Sequence, residues 1–210
     1  MNVRSFVPRS LPLTGPDYQV EIARGNPGQN VRITKQGNQI AVAHQTNPAD
    51  DALITVGNGT VAIHRPHGQD VVYRQAGNQI AIDRQGVGQD LLITQTGNQL
   101  SVDRYGANQD VIYRRSPGHF EIDRFGYVND VAVNVQGETV TIDRGQNYQD
   151  TAVRVPGGDF DPTTWQQELS LDPQAWQTVH HWFDQGHPDL GDLITLTEQG
   201  QILEWDGLLR

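Results

Sequence analysis

A unit of 20 residues written again and again most constrains what this chain can become. Residues 77–96 read GNQIAIDRQGVGQDLLITQT, and residues 97–116 follow without a gap as GNQLSVDRYGANQDVIYRRS. The glycine recurs at Gly37, Gly57, Gly77 and Gly97, then at Gly118 and Gly137. An aspartate recurs at Asp50, Asp70, Asp90, Asp110, Asp130 and Asp150. With a fainter copy over residues 18–30, about seven copies span residues 17–156. A short fixed period means that each unit is one supersecondary element, which buries its apolar face only by packing on its neighbours.

Each copy holds two strand-like runs. The first alternates, as in Ile80-Ala81-Ile82-Asp83, Leu100-Ser101-Val102-Asp103, Phe120-Glu121-Ile122-Asp123 and Val140-Thr141-Ile142-Asp143. Successive strand side chains point to opposite faces, so this pattern reads as a half-buried strand. The second run, Val71-Val72-Tyr73, Leu91-Leu92-Ile93 or Val111-Ile112-Tyr113, is apolar on both faces and reads as a strand covered on both sides. Between the runs lie Gly-Asn-Gln and Gly-x-x-Gln-Asp, residues that form turns through positive φ and side-chain-to-backbone bonds. One copy has an extra residue before its strand, at Asn58-Gly59-Thr60-Val61. Its next loop, Arg65 to Gly68, is one shorter, which restores the register.

The fold class is therefore mainly β. The fixed period predicts a β-solenoid, one coil per copy, with equivalent strands stacked in parallel about 4.8 Å apart. An antiparallel meander of hairpins is the alternative. In the solenoid Ile82, Val102, Ile122 and Ile142 form a continuous buried column. Asp83, Asp103, Asp123 and Asp143 form a charge ladder beside Arg84, Arg104, Arg124 and Arg144. Like charges at that spacing repel by roughly 0.9 kcal/mol in water, and the adjacent arginine ladder offsets it.

Charge divides the chain. The net charge is −10, but residues 1–156 hold 14 of the 15 basic and 15 of the 25 acidic residues, leaving the remainder strongly acidic. The sequence thus divides into an extension over 1–16, a repeat array over 17–156 and an acidic segment over 157–210, with the junction at Val155, Pro156, Gly157 and Gly158. Scattered basic residues speak against a nucleic-acid partner. Cysteine is absent, which removes disulfides and thiolate metal sites. No signal peptide is visible in MNVRSFVPRSLPLTGP and no apolar run is long enough for a membrane span. The compartment stays open, a secreted or cell-surface location included.

The acidic segment carries helix punctuation. Asp172 is a cap, Pro173 suits a first turn and Gly186 a stop, with Trp176, Val179 and Phe183 on one stripe. A shorter helix starts at Asp161-Pro162. Asp192-Leu193-Ile194-Thr195 and Leu203-Glu204-Trp205-Asp206 then echo the repeat, which reads as an eighth, degenerate copy behind a helical insertion, an unrelated hairpin being the alternative. The helical stripe is expected to cover an array end or the outward Val72, Leu92 and Ile112. Residues 1–16, with Pro8, Pro12 and Pro16, are expected to blunt the opposite edge.

Two families are similar. Ile93-x-Gln95-x-Gly97-Asn98 resembles the curlin-type repeat of bacterial amyloid biofilm fibres, which implies self-assembly at the cell surface. Phe120-Glu121-Ile122-Asp123-Arg124-Phe125-Gly126 resembles the YD repeat of Rhs-type shell proteins, which implies a shell-forming β-structure.

No constellation points to catalysis or a cofactor. There is no cysteine, the five serines are scattered, and no Gly-x-Ser-x-Gly or phosphate-cradling loop occurs. His180, His181 and His187 are the best metal candidates, yet adjacent helical histidines face different directions, so no metal is assigned. The expected function is a non-catalytic structural or interaction repeat protein. Its partners are itself or another protein, met through sheet edges or the apolar outer face. The alternative is a carbohydrate- or protein-binding module, in which ladders of Tyr73 and Tyr113, or Tyr105 and Phe125, stack on polysaccharide rings.

Overall fold

The computed structural model describes residues 10–23, 29–86, 90–105, 110–125, 130–145, 150–154, 173–199 and 201–204. Outside them lie Pro8, the junction at 155–158, the short helix at Asp161 and Pro162, the cap Asp172, and Trp205 and Asp206.

The second run of each copy and the first run of the next make one hairpin. After β1 (Ser10–Leu11) and β2 (Tyr18–Ile22) come β3 (Val31–Gln36) with β4 (Gln39–His44), and β5 (Ala52–Gly57) with β6 (Thr60–His64). Then follow β7 (Val71–Ala76), β8 (Gln79–Arg84), β9 (Leu91–Thr96) with β10 (Gln99–Arg104), β11 (Val111–Ser116) with β12 (His119–Arg124), β13 (Val131–Gln136) with β14 (Thr139–Arg144), and β15 (Thr151–Arg154). Strand order follows chain order from β2 to β15 without closing. The pairing is antiparallel: Leu100 faces Gln95 on β9 and Tyr113 on β11.

The chain is thus mainly β and adopts the antiparallel meander, in place of the expected parallel solenoid. The turns decide this. Gly37, Gly77, Gly97 and Gly137 each open a two-residue connection, with φ between 56° and 60°. Such a turn reverses the strand at once and matches the twist of the pair it joins. Parallel pairing needs a far longer crossover.

The chain divides into two compact units, Met1–Gln75 with Ile82–Val87 and Leu190–Trp205, and Ala76–Ala81 with Gly88–Asp189 and Asp206–Arg210. In both, the sheet has one buried and one open face, as the alternation requires. The first unit buries Ile33, Ile40, Val42, Ile54, Ile63 and Val71; the second buries Leu91, Ile93, Leu100, Phe120 and Val133. Ile82, Val102, Ile122 and Ile142 are buried as well. Their neighbours are the other run rather than their own kind: Val102 lies between Ile93 and Val111, and Ile122 between Tyr113 and Val131. Within the second unit, equivalent residues such as Val102 and Ile122 are two strands, about 9.6 Å, apart.

In the first unit β1 pairs with β16 (Ile194–Thr197), which pairs with β17 (Ile202–Glu204), as a separate three-stranded sheet. The degenerate copy does form a hairpin, but it joins the N-terminal strand instead of extending the array. Ahead of it, Leu190–Asp192 makes a 3₁₀ turn.

In the second unit α1 (Pro173–Gln185) starts at the expected proline and stops at Gly186, whose φ of 81° ends the helix. Among its described side chains Ala175, Thr178, Val179 and Trp182 are buried and Phe183 is half-buried, so the expected Val179 is on the buried stripe, and the side chain of Trp176 lies outside the description. It packs against the sheet through Gln95, Arg115 and Phe120. Leu92 stays 39% exposed on the open face, so the two-sided cover expected for the second run is not made there.

Candidate functional site

Most of the repeated polar residues hold a loop or a turn. The recurring aspartate closes the loop behind its copy. The carboxylates of Asp70, Asp110, Asp130 and Asp150 accept the backbone N–H of Arg65, Arg104, Arg124 and Arg144 at 2.7–3.1 Å. Asp51 serves His44 in the same way at 2.6 Å, while Asp50 binds Asn47 instead. The main-chain carbonyls of Asp70, Asp90, Asp110 and Asp130 accept from Gln85, Tyr105, Phe125 and Gly145. One residue thereby pins its loop twice, which explains its recurrence. His64 adds a 2.8 Å contact to Asp70, and these bonds hold that carboxyl below its ordinary range.

At the opposite strand end the turn carbonyls do equivalent work. Asn38, Asn78 and Asn98 accept from Val56, Gln95 and Arg115, and Asn78 also donates its amide to the Gln95 carbonyl at 2.6 Å. In the shifted copies the glycine carbonyl substitutes, Gly59 for Gln75 and Gly118 for Val135.

One inward position of the repeat is aliphatic at Val56 and Val135 but polar in four copies, and each of those four polar residues reaches a segment outside the repeats. Lys35, 3% exposed, donates to the carbonyls of Gly15 and Gly37 at 2.7 and 2.6 Å. Gln75 accepts from the Leu190 N–H, and Gln95 donates to the Trp182 carbonyl. Arg115 donates to Asp184 at 2.6 Å, lies 3.2 Å from His180 Nδ1 and covers the Phe183 ring. Burial first, then the Arg115 charge, lowers the His180 pKa to about 4, so its ring stacks on Phe120 as the neutral form. In the first unit Glu204 is the matching anchor, paired with Arg65 and accepting from the Tyr73 hydroxyl at 2.9 Å.

Sequence reasoning missed these anchors. A polar residue two places after a buried aliphatic, as Gln95 after Ile93, was the signal.

The residues proposed from sequence divide sharply. Tyr73 and Tyr113 are 1% and 4% exposed, because the tyrosines take inward positions of the alternation. Burial pushes the Tyr113 phenol up to about 12 against the opposing charges of Arg124 and Arg104. No sugar ring can reach either of them. Tyr105 and Phe125, at the bends ending β10 and β12, are 66% and 61% exposed.

The Asp and Arg ladders also separate, because adjacent strand residues point to opposite faces. Asp103 lies opposite Leu92 on the open face, and Arg104 opposite Leu91 on the buried face. Arg124 and Arg144 likewise face Val111 and Val131, and all four arginines, Arg84 included, are half-buried. The aspartates are offset from another quarter: Asp83 meets Arg74 at 3.3 Å, and Asp123 meets Arg114 at 3.1 Å.

Among the described residues no three His, Asp or Glu side chains gather as a metal site, and no helix is long and apolar enough to cross a membrane. An open groove of about 420 Å³ in the first unit is bordered by Glu21, Asn30, Arg32, His44 and Gln45. Glu21 and Arg32 neutralise each other across it at 2.9 Å, and His44 Nδ1 lies 3.5 Å from Asp51. Comparison with family models, curated proteins and solved structures finds no match.

Proposed function

We propose that this protein is a non-catalytic interaction module, a β-meander that presents side chains to a partner macromolecule. One observation carries the reading. The repeated polar residues are consumed in holding loops, turns and anchors, whereas Tyr105 and Phe125 stand mostly in solvent at equivalent places of consecutive copies. Large exposed aromatics on a rigid frame are characteristic binding anchors, since they carry much apolar area at small entropic cost. An array of immobilised polysaccharides and extracellular proteins tests it, with wild type compared to Tyr105→Ser/Phe125→Ser. A feature bound by the wild type and lost in the variant is expected; identical profiles would refute the reading.

Self-assembly through strand edges, the property implied by the curlin resemblance, is the second reading. It is favoured by a strand order that ends on β2 and β15 without closing. Electron microscopy of concentrated protein tests it: filaments support assembly, and uniform small particles reject it.

A further inference from the structure

The interaction surface is specific enough to suggest its ligand class, an inference that rests on the reading just given. Tyr105 and Phe125 are fixed alike. Each donates its backbone N–H to the aspartate carbonyl of the preceding copy, Tyr105 to Asp90 at 3.1 Å and Phe125 to Asp110 at 3.0 Å. Each also follows an arginine whose N–H is held by the next aspartate. Their backbones therefore repeat with the sheet, two strands or about 9.6 Å apart.

The surroundings repeat as well. On the open face Leu92 lies opposite Asp103, and Ile112 opposite Asp123. Each copy thus offers an aromatic ring, an aliphatic side chain and a carboxylate. Gln85 and Gly145 occupy the aromatic position in the flanking copies, so the platform is two rings long.

We infer that this platform binds a neutral, extended, β-linked polysaccharide. A pyranose has an apolar C–H face that stacks on a flat ring and a rim of hydroxyls that donate to carboxylates. In an extended β-1,4 chain each sugar is turned over relative to the last, so every second residue shows the same face. The length of that disaccharide step is close to the two-strand spacing, letting both rings engage one chain face. Charge disfavours the polyanionic alternatives: Arg114 neutralises Asp123 at 3.1 Å, Asp103 is exposed, and no excess of basic residues marks the platform. Two rings make a weak site for one short chain, and a polymer engages it repeatedly.

Native electrophoresis through gels containing hydroxyethylcellulose, konjac glucomannan, carboxymethylcellulose or dextran tests this on the full chain. Wild type should be retarded in a neutral β-linked gel and migrate freely in dextran and in carboxymethylcellulose. Tyr105→Ala/Phe125→Ala should lose the retardation, while Tyr105→Phe and Phe125→Tyr keep it. Unchanged melting temperatures separate lost binding from lost fold, as both side chains are exposed. Free migration of wild type in both neutral β-linked gels overturns the inference, as does retardation that survives the double substitution. Stronger retardation in carboxymethylcellulose refutes the charge argument and the ligand class with it. Protein features bound on the array while all gels stay silent would sink the glycan assignment and leave the interaction module standing.

Discussion

Asp130 offers the sharpest test of how the repeats hold together. Its carboxylate accepts the Arg124 N–H at 2.7 Å, and its main-chain carbonyl accepts the Gly145 N–H at 3.0 Å. Asp130→Ala removes only the first bond. A hydrogen bond to a charged group is worth about 1.5–3 kcal/mol when buried, and loss of a carboxylate cap at a partly exposed site costs about 1 kcal/mol. Asp130 is half-buried, so a loss of about 1–2 kcal/mol follows, or about 3–6 °C of melting temperature for a chain of this length. Asp130→Asn keeps an acceptor oxygen and should lose less than half as much. Asp110→Ala, which strips the same bond from Arg104, should add to it, because the two carboxylates hold different N–H groups about 9.6 Å apart. The control is Asp103→Ala, on the open face, expected within about 0.5 kcal/mol of wild type. Urea melts at constant slope provide the assay. If Asp103→Ala costs as much as Asp130→Ala, or the asparagine variant is as damaged as the alanine one, the loop-pinning argument is wrong.

Three further outcomes follow from the same geometry. A Cβ at Gly59 would lie 2.6 Å from the Gln75 carbonyl oxygen, whereas one at Gly97 meets nothing within 4 Å. Gly97→Ala should therefore cost only the positive-φ penalty of about 1–2 kcal/mol, and Gly59→Ala clearly more, read from thermal melts. Tyr73→Phe should cost about 1 kcal/mol by removing one bond to Glu204, and Glu204→Ala about 2–3 kcal/mol by taking an acceptor from both Arg65 and Tyr73 in a half-buried site; chemical denaturation ranks them. The His180 pKa, about 4 in the fold against 6.5 for a free side chain, means that between those values the unfolded chain binds the extra proton. Its contribution is complete above pH 6.5, shrinks as pH falls towards 4 and then levels off, so His180→Gln should flatten that limb of a stability–pH curve.

Most of the strand content was legible because period-two alternation and glycine turns are local signals. Ile82, Val102 and Ile122 were found buried for that reason. Solenoid and meander share the same period and bury the same residues. What separates them is the sign of φ at Gly77 and Gly97, which the letters leave ambiguous, since glycine suits a solenoid corner as well as a hairpin. Tyr73 and Tyr113 were misassigned because their position in the alternation was outweighed by their chemistry. Counting two from Val71 or Val111 places both on the buried face. The roles of Gln95, Arg115 and Glu204 depend on contacts with segments far along the chain, which no local pattern encodes.

The pairing of Ser10 with Thr197 sets the order in which this molecule can be completed. Hairpins such as β9–β10 can close as soon as they emerge from the ribosome, because their partners are a few residues away. The first compact unit cannot: its three-stranded sheet waits for nearly the whole chain to be synthesised. Closing so long a loop adds a logarithmic entropy cost and a slow, non-local step. Until then β1 lacks its hydrogen-bonding partner β16.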